Sequence, residues 1–470
     1  MVERINSFPD FKDSFGDKRI EKRAEQVLNK LTIGRIGNIR QIAETEAEQK
    51  SFYRLFNNES FNEKAIESSI VNRCGELCKG RHVLCILDST EFNLSSQQGR
   101  IKPSSGLGKT TKKGILGFMM HSSLVIDANA GSALGYSYIK TWDRKEDSLD
   151  KYKRKYSQLP IEKKESYKWI ESANQSKTLL NQSSKITIVA DRESDIYDLL
   201  AIVPEPTVHL LIRSKSNRKI AEGGNLTDHL DGLPVMHNYQ LEVRGDIRKN
   251  IDKRTALMDL KWAKVTIKKA VGCKNKTLPD NQGLYVVEAN ETNRNGGIYW
   301  RILTTHPVTS SEEAMQIIEW YKQRWYIEQI HRLLKKDGFK IESSQLEQGW
   351  AIRKLTLLAM MAVLRILQMM LAYEDDNEQP IDEIFNKEEQ QCLSVLNEQL
   401  QGQTDKLKNT SKHNTLKWAT WIIARLGGWK GYQSQRKPGP IALQKGLAKF
   451  YHVFEGWSMF QKFQKNVSTQ

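Results

Sequence analysis

At 470 residues the chain is long enough for about three domains with substantial cores. Its formal net charge of +16 favours a polyanionic partner, although charge alone leaves membrane-surface and ribosomal partners open. The first residues lack the basic-then-apolar pattern of a signal peptide, and five scattered cysteines argue for buried thiols in a reducing compartment rather than structural zinc.

Residues 1–78 are expected to form a helical domain, with cations such as Lys18, Lys22, Arg35 and Arg40 spread along it. Residues 39–43 followed by 45–56 have the outline of a short helix, a turn and a recognition helix. A plain helical cap on the next domain has the same outline.

Residues 79–375 read as an α/β domain. Two short, apolar, β-branched runs end in a carboxylate, 82–88 in Asp88 and 185–191 in Asp191, as expected of buried strands that present a side chain at their ends. Residues 117–126 and 133–139 predict two further strands, so Asp88 lies on the first of three consecutive strands, the order of an RNase H-like sheet. The polar loop 93–113 contains Gly108, Lys109 and Thr110, but Pro103 stands where a phosphate loop needs its first glycine, and the loop reads instead as a mobile, basic, DNA-facing segment. A basic, polar run connects residue 141 to 184. A short helix at 194–200 and a strand at 208–212 follow Asp191, and 214–305 is strand-rich, an insertion before the next helical segment.

That segment, 321–335, is read as one helix beginning near the capping signature Ser310-x-x-Glu313. At roughly 100° per residue, Tyr321, Arg324, Glu328 and Lys335 share an arc of about 60°, opposite Tyr326, Ile327, Ile330, Leu333 and Leu334. An amphipathic surface helix would show the same charge pattern. With Asp88 and Asp191, however, Glu328 completes a set of three hard oxygen donors suited to Mg²⁺, with Mn²⁺ as substitute, and to phosphoryl transfer. The apolar stretch 355–373 carries Arg365 and Gln368 near its middle and reads as a buried core helix rather than a membrane span. After an acidic linker, 376–470 is expected to be helical.

The run Asp191-Arg-Glu-Ser-Asp-Ile196 and the pattern Tyr321-x2-Arg324-x3-Glu328-x6-Lys335 resemble the signatures of the insertion-sequence-four family of DDE transposases. Residues 15–17, 52–58, 211–215, 299–305 and 424–429 extend the resemblance, whereas 216–297 matches poorly. The resemblance implies an RNase H-like catalytic core with a β-strand insertion, flanked by an N-terminal domain that binds transposon ends and a C-terminal dimerisation domain. It further implies metal ligation and catalysis by Asp88, Asp191 and Glu328, DNA contacts from Tyr321, Arg324, Lys335, Arg213, Lys215 and Trp300, and a hairpin intermediate at the element's ends. The partners would be double-stranded DNA at transposon ends and at the target, and a second copy in a synaptic complex, with a cytoplasmic, DNA-associated location. Two readings compete with it: an RNase H-like nuclease without strand transfer, and an inactive transposase-derived DNA-binding protein.

Overall fold

The computed structural model describes residues 11–33, 38–102, 104–110, 115–144, 158–243, 245, 252–374, 378–432 and 437–467. Its strands are β1 (His82–Asn93), β2 (Gly108–Lys109), β3 (Leu116–Asp127), β4 (Ala133–Trp142), β5 (Lys185–Ala190), β6 (Val208–Arg213), β7 (His237–Val243), β8 (Arg254–Lys268), β9 (Asn281–Glu291) and β10 (Tyr299–Thr304). Its helices are α1 (Lys18–Thr32), α2 (Ile39–Ile42), α3 (Glu46–Asn57), α4 (Glu63–Leu77), α5 (Tyr167–Leu179), α6 (Tyr197–Ile202), α7 (Leu226–Asp231), α8 (Ser311–Lys322), α9 (Trp325–Arg332), α10 (Gly349–Glu374), α11 (Lys387–Leu400), α12 (Leu416–Leu426) and α13 (Pro440–Val467). The architecture is mixed α/β. The chain forms two compact units, one of residues 1–79, 89–147 and 326–470 and one of residues 80–88 and 148–325, with one boundary falling inside β1 between Asp88 and Ser89.

In the unit of 80–88 and 148–325, the strand order is β1-β5-β6-β10-β9-β8-β7. The first part of β1 and β5 run parallel, as do β5 and β6, while β6–β10, β10–β9, β9–β8 and β8–β7 are antiparallel. Residues 83–87 and 186–190 are buried without alternation, the pattern of parallel strands covered on both faces. The inserted strands 237–304 form the antiparallel part, as the strand-rich composition predicts. Helix α5 lies in the run read as a basic connector and buries Trp169, Ile170 and Ala173. The rest of that connector, 145–157, lies outside the described residues.

In the other unit, β3 and β4 form an antiparallel pair and β2 pairs with β3. The last part of β1 lies beside β3, with Phe92 and Phe118 stacked at 4.6 Å. Helices α2 and α3 occupy the region predicted as helix, turn and helix, and Thr45 caps α3 by accepting from Glu48 N. Helix α10 is the one helix among the described residues long and apolar enough to cross a membrane, yet 94% of its most apolar window is buried within the protein. Its polar side chains fasten its neighbours. Lys354 Nζ donates to the Phe56 and Asn58 carbonyls, Arg353 pairs with Glu63 and Asp143, Gln368 donates to Ala133 O, and Arg365 donates to Ile384 O.

Two expectations change. The stretch 321–335 is not one helix: α8 closes at Lys322 with Gln323 N and Arg324 N donating to carbonyls three residues back, and α9 starts anew at Trp325. After Arg332 the chain widens into a π-helical turn, Leu333–Asp337. The single-face arc for Tyr321, Arg324, Glu328 and Lys335 therefore fails, because it assumes one uninterrupted helical repeat. The described part of loop 93–113 is also anchored: Ser105 is buried, accepts from Gly349 N through its hydroxyl and from Trp350 N through its carbonyl, and so caps α10. Gly108 and Lys109 form β2, which is not the setting of a phosphate loop.

Candidate active site

The parallel pairing of β1 and β5 matches Val83 with Ile186 and continues to Ile86 with Val189. Carried two residues further, that register sets Asp88 opposite Asp191, on strands about 4.8 Å apart. Asp191 stays extended and then caps a short 3-10 turn, its Oδ1 accepting from Glu193 N at 2.9 Å. One carboxylate oxygen is thus fixed by backbone. The Asp88 carboxylate lies 3.9 Å from Arg324 Nη1, and both side chains are less than one-fifth exposed. Arg324 lies in the break between α8 and α9.

Tyr321, the last turn of α8, is buried rather than outward-facing, and its ring meets Trp300 edge-on with centroids 6.3 Å apart. Burial raises its phenol above the ordinary tyrosine value; the Arg324 and Arg213 charges oppose the shift, and Asp191 adds to it. The hydroxyl is buried with no well-formed hydrogen bond, while the neighbouring Arg213 donates through Nη2 to Tyr299 O at 2.8 Å. Trp300 is half-buried on β10 opposite Ala289 of β9. Lys215, just beyond β6, is exposed. Asp88, Asp191, Arg213, Lys215, Trp300, Tyr321 and Arg324 all belong to the unit of 80–88 and 148–325.

Glu328 and Lys335 belong to the other unit. Glu328 is half-buried in the first turn of α9, where the helix dipole favours a carboxylate. Lys335 sits in the π-helical turn with its ammonium 5.5 Å from the centre of the Phe92 ring, a cation–π contact. Such turns are frequent at functional positions.

Asp88 and Asp191 fit a hard divalent cation, since both donors are carboxylate oxygens. Asp191 lies just past the end of β5, whereas Asp88 is not at a strand end, as the sequence predicts, but within β1, which runs on to Asn93. Among the described residues, no group of three or more His, Cys, Asp and Glu side chains is gathered closely enough to hold a metal.

Sequence reasoning singled out neither Asp195 nor Arg218, which form a buried ion pair beside Asp191. Asp195 lies inside the quoted run 191–196, but its partner lies in the poorly matching stretch after 215, and an acid and a base 23 residues apart look like solvated charges.

Residues 170–365 match the family described as "Transposase DDE domain". The matched segment contains Asp191, Trp300, Tyr321, Arg324, Glu328 and Lys335 and begins after Asp88. Among solved structures, the chain is similar to the piggyBac transposase synaptic complex with hairpin DNA, at 9% identity and a TM-score of 0.29, over 63% of this chain. The chain spans about half, 53%, of that structure's length. The family match supports a DDE transposase family for the segment it covers.

Proposed function

We propose that the chain is a cut-and-paste DNA transposase of the insertion-sequence-four type, built on an RNase H-like core. The observation that carries this reading is the register that brings Asp88 opposite Asp191 with Arg324 beside them, in a chain whose residues 170–365 match the transposase DDE domain. The antiparallel β3 and β4 followed by the parallel β5 and β6 are in keeping with that core.

In this reading Asp88, Asp191 and Glu328 hold Mg²⁺, which Mn²⁺ can replace and which supplies activation of an attacking oxygen and stabilisation of a leaving one. Arg324, Arg213, Lys215 and Lys335 bind and orient the phosphates flanking the scissile bond, and the Tyr321 hydroxyl, buried in the free protein, donates to one of them once DNA binding uncovers it. Water attacks first; the freed 3′-hydroxyl then attacks the opposite strand to close a hairpin, and after reopening it joins target DNA. Trp300 stacks on a base displaced during hairpin closure. Residues 1–78 bind the element's ends, residues 376–470 pair two copies, and the protein works in the cytoplasm on DNA.

The test is a cleavage and joining assay with labelled DNA carrying the ends that border the coding sequence. Joined products support the transposase. Cleavage without joining identifies a nuclease, and DNA binding without metal-dependent cleavage identifies an inactive relative.

A further inference from the structure

We propose that Asp195 is a positioning residue that locks the turn carrying Asp191 to the loop carrying Lys215; the inference rests on the functional reading above. The Asp195 carboxylate is fully buried. Its Oδ2 accepts from Lys215 N at 2.7 Å and Ser216 N at 3.1 Å, and its Oδ1 accepts from Arg218 Nε at 2.9 Å and Nη2 at 2.5 Å. Arg218 Nη2 also donates to the Asp195 carbonyl at 2.7 Å. One carboxylate thus satisfies two backbone donors of the loop that follows β6, while the guanidinium grips both its side chain and its main chain.

Position gives this arrangement its consequence. Asp195 ends the turn that Asp191 begins: Asp191 accepts from Glu193 N, and Ser194 Oγ donates to Asp191 O at 2.7 Å. The other side of the clamp begins directly after Arg213, at the end of β6, the parallel neighbour of β5. The carboxylate of Asp191 and the backbone that carries Lys215 are therefore set relative to each other by one buried group. A buried ion pair with every oxygen engaged has a single arrangement, so it fixes geometry where two free loops would not.

Asp195→Asn is the informative variant. The amide keeps one acceptor but turns its NH₂ toward either the Lys215 and Ser216 N–H groups or the Arg218 guanidinium, so donors face donors. The full-length protein, Asp195→Asn, Lys215→Ala and the double variant are compared for binding to a labelled end duplex over a salt series without divalent metal. If Asp195 positions Lys215, Asp195→Asn lowers the slope of log K against log[salt] by about 0.9, as Lys215→Ala does, and the double variant shows no further loss. Single-turnover cleavage at saturating DNA should also fall, on the order of tenfold to a hundredfold, since Asp191 moves with the turn. A variant with lower thermal stability but the wild-type salt slope and cleavage rate overturns the positioning role and leaves a structural ion pair. Should Asp195→Asn fail to fold, Arg218→Lys is read in its place: a reduced slope supports the inference and an unchanged one overturns it. A wild-type protein that neither binds nor cuts the duplex overturns the functional reading, and this inference with it.

Discussion

Arg324 Nη1 stands 3.9 Å from Asp88 Oδ2, at the break between α8 and α9. A guanidinium this close to one carboxylate of an acidic pair offsets part of its charge and also offers donors to a phosphate. Arg324→Ala should therefore weaken binding of end DNA and lower its salt-dependence slope by about 0.9, and Lys335→Ala should do the same. Unchanged affinity and slope in both variants would mean that these cations only solvate the surface.

The N-terminal ends of the parallel strands carry a cluster that predicts acid sensitivity. Thr187 Oγ1 is shared by His82 Nε2 at 2.9 Å and His306 Nε2 at 2.8 Å, and His306 stacks on His209 with ring centres 4.0 Å apart. Burial first, then the neighbouring His209 and His82, lowers His306 from the ordinary 6.5 to about 2, and burial also lowers His209. With the folded value below the unfolded one, the unfolded chain takes up protons first as pH falls through about 6.5. Stability is therefore lost below that pH, by up to about 1.4 kcal/mol per pH unit for His306. His306→Gln removes the titration, so its thermal midpoint should fall less than that of wild type between pH 7 and pH 5. Equal falls would place the acid sensitivity elsewhere.

Trp300 presents a half-buried indole edge-on to Tyr321. Displacing a base to bend a strand into a hairpin costs a few kcal/mol, of which stacking on an indole returns about 1–3 kcal/mol. Trp300→Ala should reduce hairpin closure far more than the first nick. If both rates drop by the same factor, or the variant unfolds, the indole serves only the fold.

How much could be read from the sequence followed from how local each signal was. The runs 82–88 and 185–191 were legible as buried strands because parallel strands covered on both faces need no alternation, although β1 runs on past Asp88 to Asn93. The capping box of α8 appears as predicted, with Ser310 accepting from Glu313 N and the Glu313 side chain returning to the cap backbone. The break before Trp325 was not legible: no Gly or Pro marks it, and the residues on either side fit one helical period. Helix α5 was hidden because Ser172 and Ser176 occupy buried positions on its inner face, diluting the apolar repeat. In β8 burial alternates over 256–260, but the exposed position between the buried Ala256 and Met258 is the apolar Leu257, which hides that alternation in the sequence. The Asp195–Arg218 clamp depends on tertiary contact alone.

Helix α13 leaves Val453, Met459, Phe460 and Phe463 exposed, an unusual number of large apolar groups for one helix in water. In the proposed paired complex this surface belongs to the contact between copies. Replacing Phe460 and Phe463 by Glu should abolish two-end complexes in gel-shift assays while leaving single-end binding and the thermal midpoint nearly unchanged. Persistence of two-end complexes would assign pairing to another surface.

The most direct measurement is DNA cleavage by purified Glu328→Gln in Mg²⁺, alongside Asp88→Asn and Asp191→Asn. Each substitution removes one carboxylate charge and preserves side-chain size, so all three variants should bind end DNA close to wild type yet show no detectable nicking, hairpin closure or joining. Substantial cleavage by any of them would contradict the assignment of these three carboxylates as the reaction centre.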